Sequence, residues 1–136
     1  MAYEALTEHC LELLAPVGAA RARRMFGGQG LYLEGLFVGL IAFGRLYLKT
    51  NDETRPRFVA GGGEPFVYEA RNKPVTVSAF WTPPADAMDS PALMAPWARL
   101  ALQAALAARA AGPQRKKGVL KPRAAPAAKR ASAGRR

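Results

Sequence analysis

The stretch RMFGGQGLYLEGLFVGLIAFGRLYLK, residues 24–49, sets short apolar runs between glycines. Leu31-Tyr32-Leu33, residues 36–42 and Leu46-Tyr47-Leu48 read as strands, with Glu34-Gly35 and Phe43-Gly44 at the reversals. Connections this short join antiparallel neighbours only, because a parallel pair needs a crossover of about a dozen residues or more. A meander follows. The opening Gly27-Gly28-Gln29-Gly30 poses a second question, whether these glycines cradle a phosphate. A dinucleotide fingerprint needs G-x-G-x-x-G opening a helix, and a P-loop needs Lys-Ser/Thr after its last glycine. Here the loop reads G-G-x-G and runs into the strand pattern LYLEG, so the helix N-terminus that would attract an anion is missing. Gly27, Gly28 and Gly30 are therefore expected to form a corner or bulge, where glycine permits positive φ and close backbone approach.

Upstream, Tyr3, Leu6, Cys10, Leu13, Leu14 and Val17 recur at three- and four-residue steps, while Glu4, Glu8 and Glu12 line another face. This is an amphipathic helix ended by Pro16 and Gly18. Downstream, Asn51 and Asp52 are cap candidates for a short helix that places Pro56 in its first turn and stops at Gly61. Residues 66–70 and 75–81 read as two more strands around Arg71-Asn72-Lys73-Pro74. Ser90-Pro91 then supplies an N-cap and a first-turn proline. Leu93, Met94, Trp97, Leu100, Ala101, Ala104 and Ala108 make the apolar stripe of a long last helix. The order predicts a two-layer α+β domain, α-β(3)-α-β(2)-α, with a five-stranded antiparallel sheet.

The chain has 136 residues, enough for one domain with a single core. No segment approaches the roughly 18 uninterrupted apolar residues of a membrane span. The acidic N-terminus matches neither a secretory nor a transit signal, so a cytoplasmic location away from membranes is expected. The net charge of +10 suggests a nucleic-acid binder until it is divided along the chain. Residues 1–112 hold eleven Lys or Arg against ten Asp or Glu, a net +1. Residues 113–136 hold nine cations and no acid: Arg115, Lys116, Lys117, Lys121, Arg123, Lys129, Arg130, Arg135 and Arg136. This last segment has no aromatic residue and three prolines, too little apolar surface to offset the entropy of ordering. The expected organisation is a folded domain over residues 1–112 and a disordered basic tail over residues 113–136.

Within the domain, Arg21, Arg23 and Arg24 form the one dense basic cluster, expected at a strand entrance as solvated charges or as a partner contact. His9 and Cys10 are helix neighbours that point about 100° apart, so they make no nucleophile–base pair. Cys10 lies on the apolar stripe and is expected in the core. No metal site is expected from a single histidine and a single cysteine. The carboxylate pairs Asp52-Glu53 and Glu64 with Glu69 suit caps and strand surfaces, so neither catalytic residues nor cofactors are expected. Eight aromatics sit on strands or turns: Tyr32, Phe37, Phe43, Tyr47, Phe66, Tyr68, Phe80 and Trp81. By alternation half should face the core, and any left uncovered would form a platform for a protein or a stacked base.

RRMFGGQGLYLEGLFVGLIAFGRLYLKTNDETRPRF, PFVYEARNKPVTVSAFWTPP and the terminal PALMAPWARLALQAA together make residues 1 to about 110 resemble the TfoX/Sxy N-terminal domain family, named for a bacterial competence regulator. Met25, Phe26, Gly27, Gly28, Gly30, Lys73, Pro74 and Trp97 carry the motif. The resemblance implies a secretion-chaperone-like α-β(3)-α-β(2)-α fold. It also implies a non-enzymatic role, since the full-length regulators act as transcriptional co-activators beside a cyclic-AMP receptor protein and carry a second, helical domain. In this sequence a basic segment follows Gly112 instead. Two functions are expected to compete. One is a regulatory or adaptor domain whose basic segment holds DNA or RNA without reading sequence; the other is a protein-interaction module in which that segment serves solubility.

Overall fold

The computed structural model describes residues 2–25 and 28–111, and it places one more strand in the sheet than the sequence suggests. Helix α1 (Ala2–Leu14) leads into β1 (Ala20–Met25), β2 (Gly28–Leu33), β3 (Leu36–Ala42) and β4 (Arg45–Lys49). Helix α2 (Arg55–Ala60), β5 (Pro65–Ala70), β6 (Lys73–Trp81), a 3-10 helix (Ala85–Asp89) and α3 (Pro91–Ala111) complete the order. The class is α+β with an open antiparallel sheet, in the order β1-β2-β3-β4-β6-β5. The sixth strand is β1, built on the basic cluster itself. Its alternation sets Ala20 and Ala22 opposite Leu33 and Leu31, and Arg21 and Arg23 opposite Tyr32 and Gly30. Small alanines rather than large apolar residues fill its inner side, which hides the strand from a hydrophobicity reading.

Three hairpins turn on two residues that both have positive φ: Glu34-Gly35 (52° and 80°), Phe43-Gly44 (55° and 73°) and Arg71-Asn72 (53° and 69°). That is the turn geometry whose twist suits neighbouring antiparallel strands. The motif glycines have a different purpose. Gly28 and Gly30 are not among the positive-φ residues. A Cβ on Gly28 would run into the carbonyl oxygen of Ile41, and one on Gly30 would meet the Met25 methyl and the Phe37 ring. Close approach, the second of the two demands expected of them, is thus what these positions meet. Phe26 and Gly27 lie outside the described residues, as does the whole segment 113–136.

One unit spans Met1–Ala105, and of a second, from Leu106 onward, residues 106–111 are described. In the first, α1 contributes Cys10, Leu13 and Leu14 and α2 contributes Phe58 to the core. From α3 come Met94, Ala98, Ala101 and Ala105, and from the sheet Leu31, Leu33, Val38, Ile41, Leu46 and Leu48. The α3 stripe differs from expectation at Leu93, which is 46% exposed, while Ala98 and Ala105 take inward places. Helix α2 begins where Asn51 accepts hydrogen bonds at Oδ1 from the backbone N–H of Glu53 (3.0 Å) and Thr54 (2.9 Å). In return the Asn51 N–H donates to Thr54 Oγ1 at 3.0 Å. At α3, Ser90 Oγ accepts from the Leu93 N–H at 3.2 Å, an N-cap ahead of Pro91. All three helices pack against one side of the sheet.

Candidate functional site on the open face of the sheet

Leucine-flanked aromatics sort by strand period: in Leu31-Tyr32-Leu33 and Leu46-Tyr47-Leu48 the leucines join the core cluster and the tyrosines take the alternate side of the strand, Tyr32 half-buried and Tyr47 buried. Register carries the pattern across the sheet. Tyr32 lies opposite Phe37, Leu40 opposite Tyr47, and Lys49 opposite Phe80. On the outer hairpin Phe66 faces Val77 and Tyr68 faces Val75, after a register shift between Pro65 and Phe66. The rings meet: Tyr32–Phe37 centroids are 5.4 Å apart, Phe37–Phe80 5.6 Å, Tyr47–Phe66 5.0 Å and Phe66–Tyr68 5.9 Å. Phe43, in its turn and 64% exposed, stacks on Phe66 at 6.0 Å.

Seven of the eight aromatics thus gather on or beside the side away from the helices, and Trp81 alone, opposite Leu48, joins the core side. An even split was expected. The imbalance arises because leucine, valine and isoleucine take nearly every inward position of β2, β3 and β4. The signal was present in the repeated Leu-Tyr-Leu triplets. Tyr32, Phe37, Phe66, Tyr68 and Phe80 remain half-buried, so each leaves part of its ring to solvent.

The same face collects cations. Arg21 and Arg23 reach it from β1, Lys49 from β4 and Lys73 from the start of β6, where it pairs with Ala70. Arg45 lies over the Tyr47 ring with its guanidinium carbon 5.7 Å from the centroid and is bound to Glu64 at 3.0 Å. Arg21, Arg23, Lys49 and Lys73 make no ion pair among the described residues. Burial holds the Lys49 ammonium below the ordinary lysine range. Arg24 faces the other way, opposite Gln29. No ion pair joins this cluster to α1 among the described residues.

The remaining singled-out residues serve packing. Trp97 sets its ring at 69° to that of Phe58, 5.0 Å away, and Pro74 stands exposed opposite Glu69. His9 donates from Nε2 to the Met88 carbonyl at 2.7 Å, fastening α1 to the 3-10 helix. Asp52 is tied to Arg55 at 2.8 Å, beside a shallow open hollow on α2 lined by Pro56, Val59 and Ala60. Burial pushes the Cys10 thiol up to about 12, so it stays protonated at neutral pH. A thiol reagent at pH 8 should leave the folded protein unlabelled and label it fully in denaturant; fast labelling of the native form would contradict the placement. Since the unfolded thiol ionises near pH ~8.5, Cys10 stabilises the fold fully below that pH and progressively less from there to about 12.

No described group of three His, Cys, Asp or Glu side chains is placed to hold a metal ion, and no described helix is long and apolar enough to cross a membrane. A family model described as the TfoX N-terminal domain matches residues 12–105. A curated protein of Aliivibrio fischeri, DNA transformation protein TfoX1, is 33% identical over 75 residues, covering 55% of this chain and 36% of that protein. The chain matches about a third of the length of that relative.

Proposed function

The chain belongs to the TfoX N-terminal domain family, and from that premise we propose that it is a non-enzymatic regulatory or adaptor domain that attaches to nucleic acid through residues 113–136. The observation that carries the reading is the charge partition: a net +1 over residues 1–112 and nine cations without an acid beyond them. Lys and Arg interleaved with Ala and Pro neutralise phosphates and release counterions, but offer no planar polar or aromatic set to read base edges. Attachment is therefore independent of sequence. The relative's description as a DNA transformation protein supports the same direction, and a part in transcription control would fit such an adaptor.

Salt titration tests the reading. With about five cations on phosphate, the log affinity of the full chain for random duplex should fall with log salt at a slope of about −4.5. A slope near zero would refute it. A second reading, a protein-interaction module, draws on the two sheet edges, β1 and β5, where a partner strand could add. Arg21, Arg23 and Arg24 on β1 act against indiscriminate pairing there, since edge charges discourage strand addition.

A further inference from the structure

We infer that the open face of the sheet binds single-stranded nucleic acid, with bases against the rings of Phe37, Phe66 and Phe80 and phosphates against Arg21, Arg23 and Lys73. The inference rests on the reading of the chain as a nucleic-acid-associated domain and adds a second site with a different substrate preference.

Charge complementarity selects a polyanion. On this face Glu64 is already held by Arg45, and Glu69 lies on the opposite side of β5 from Tyr68, so the free cations there face no described carboxylate. Stacking selects the kind of polyanion. A duplex presents phosphates but keeps its base faces inside the helix, and an acidic peptide presents charge without planar rings. A single strand presents both, and base–aromatic stacking tolerates any sequence.

Topology places these groups in a usable order. The cations of β1 stand at one edge of the sheet, and Lys73 belongs to the hairpin that forms the other. Between them lies the contact line from Tyr32 through Phe37 to Phe80. Six strands about 4.8 Å apart give a crossing of roughly 24 Å, enough for the shortest sites of sheet-based single-strand binders, about four nucleotides. A strand crossing the face meets a cation, then rings, then a cation.

The test uses the full chain with labelled oligothymidylate and with random duplex, in wild type, R21Q/R23Q and F37L/F80L, each also with the nine cations of residues 113–136 replaced by glutamine. Arg21 and Arg23 are exposed and unpaired among the described residues, so R21Q/R23Q leaves the fold intact, and thermal melting checks both variants. R21Q/R23Q should reduce the oligothymidylate salt slope by about 1.4, the contribution of two phosphates on a single strand. F37L/F80L keeps the apolar bulk but should weaken oligothymidylate roughly tenfold while leaving duplex affinity in place. Unchanged oligothymidylate affinity and slope in both variants, or equal losses for duplex and single strand, would overturn the inference. So would an oligoglutamate competing as well as oligothymidylate, which would assign the face to an acidic protein. Glutamine replacement beyond residue 112 reports on the proposed function alone: duplex affinity unaffected by it, with face variants still impaired on single strands, would sink that reading and keep this one.

Discussion

Phe58→Ala is expected to destabilise the domain by about 3–5 kcal/mol, the range for emptying a fully buried aromatic site. Among the described residues Phe58 is the largest side chain with no solvent exposure, and its ring meets Trp97 edge-on at 5.0 Å. It also ties the short helix α2 to α3, and a six-residue helix has little stability apart from its packing. Against a typical domain stability of about 5–15 kcal/mol, the loss removes much of the margin. Urea denaturation followed by tryptophan fluorescence reads it directly. Phe58→Leu, which keeps most of the volume, should cost under about 1.5 kcal/mol by comparison. A loss below about 1 kcal/mol for the alanine variant would show that this core site is not as packed as described.

The second large effect separates two glycines of the opening motif. Gly28→Ala is expected to cost about 2–3 kcal/mol, because the new methyl meets a backbone carbonyl, that of Ile41, which moves only if β2 and β3 part. Gly30→Ala should cost about 1 kcal/mol or less, since the nearest atom, at 2.5 Å, is the end of the flexible Met25 side chain. Paired melts of the two variants check the order. Equal losses, or a larger one at Gly30, would mean that the backbone is not the obstacle.

These glycines also show what the sequence disclosed. G-G-x-G running into a strand pattern was enough to reject a phosphate cradle, but which geometric demand each glycine met came only from the Ile41 carbonyl and the Met25 methyl. The reversals at Glu34-Gly35 and Phe43-Gly44 were legible because glycine at a positive-φ position leaves a strong mark. The third turn, Arg71-Asn72, has the same backbone signs without glycine. β1 is hard to read because ARARRM turns half-buried alanines toward the core, and an edge strand bearing three arginines resembles a solvated linker. The aromatic face was half legible: a platform was foreseen, but its members were not, since alternation within one strand does not say which phase faces the helices. The leucines on either side of Tyr32 and Tyr47 do say it, once the register joins the strands.

The comparison that bears most directly on the function is the duplex affinity of the full chain before and after its nine cations beyond residue 112 are replaced by glutamine. Near 0.1 M salt each released counterion is worth roughly tenfold, so the replacement should weaken random-duplex binding by at least about a hundredfold and flatten the salt slope toward zero. Duplex affinity and slope that survive the replacement unchanged would contradict the account.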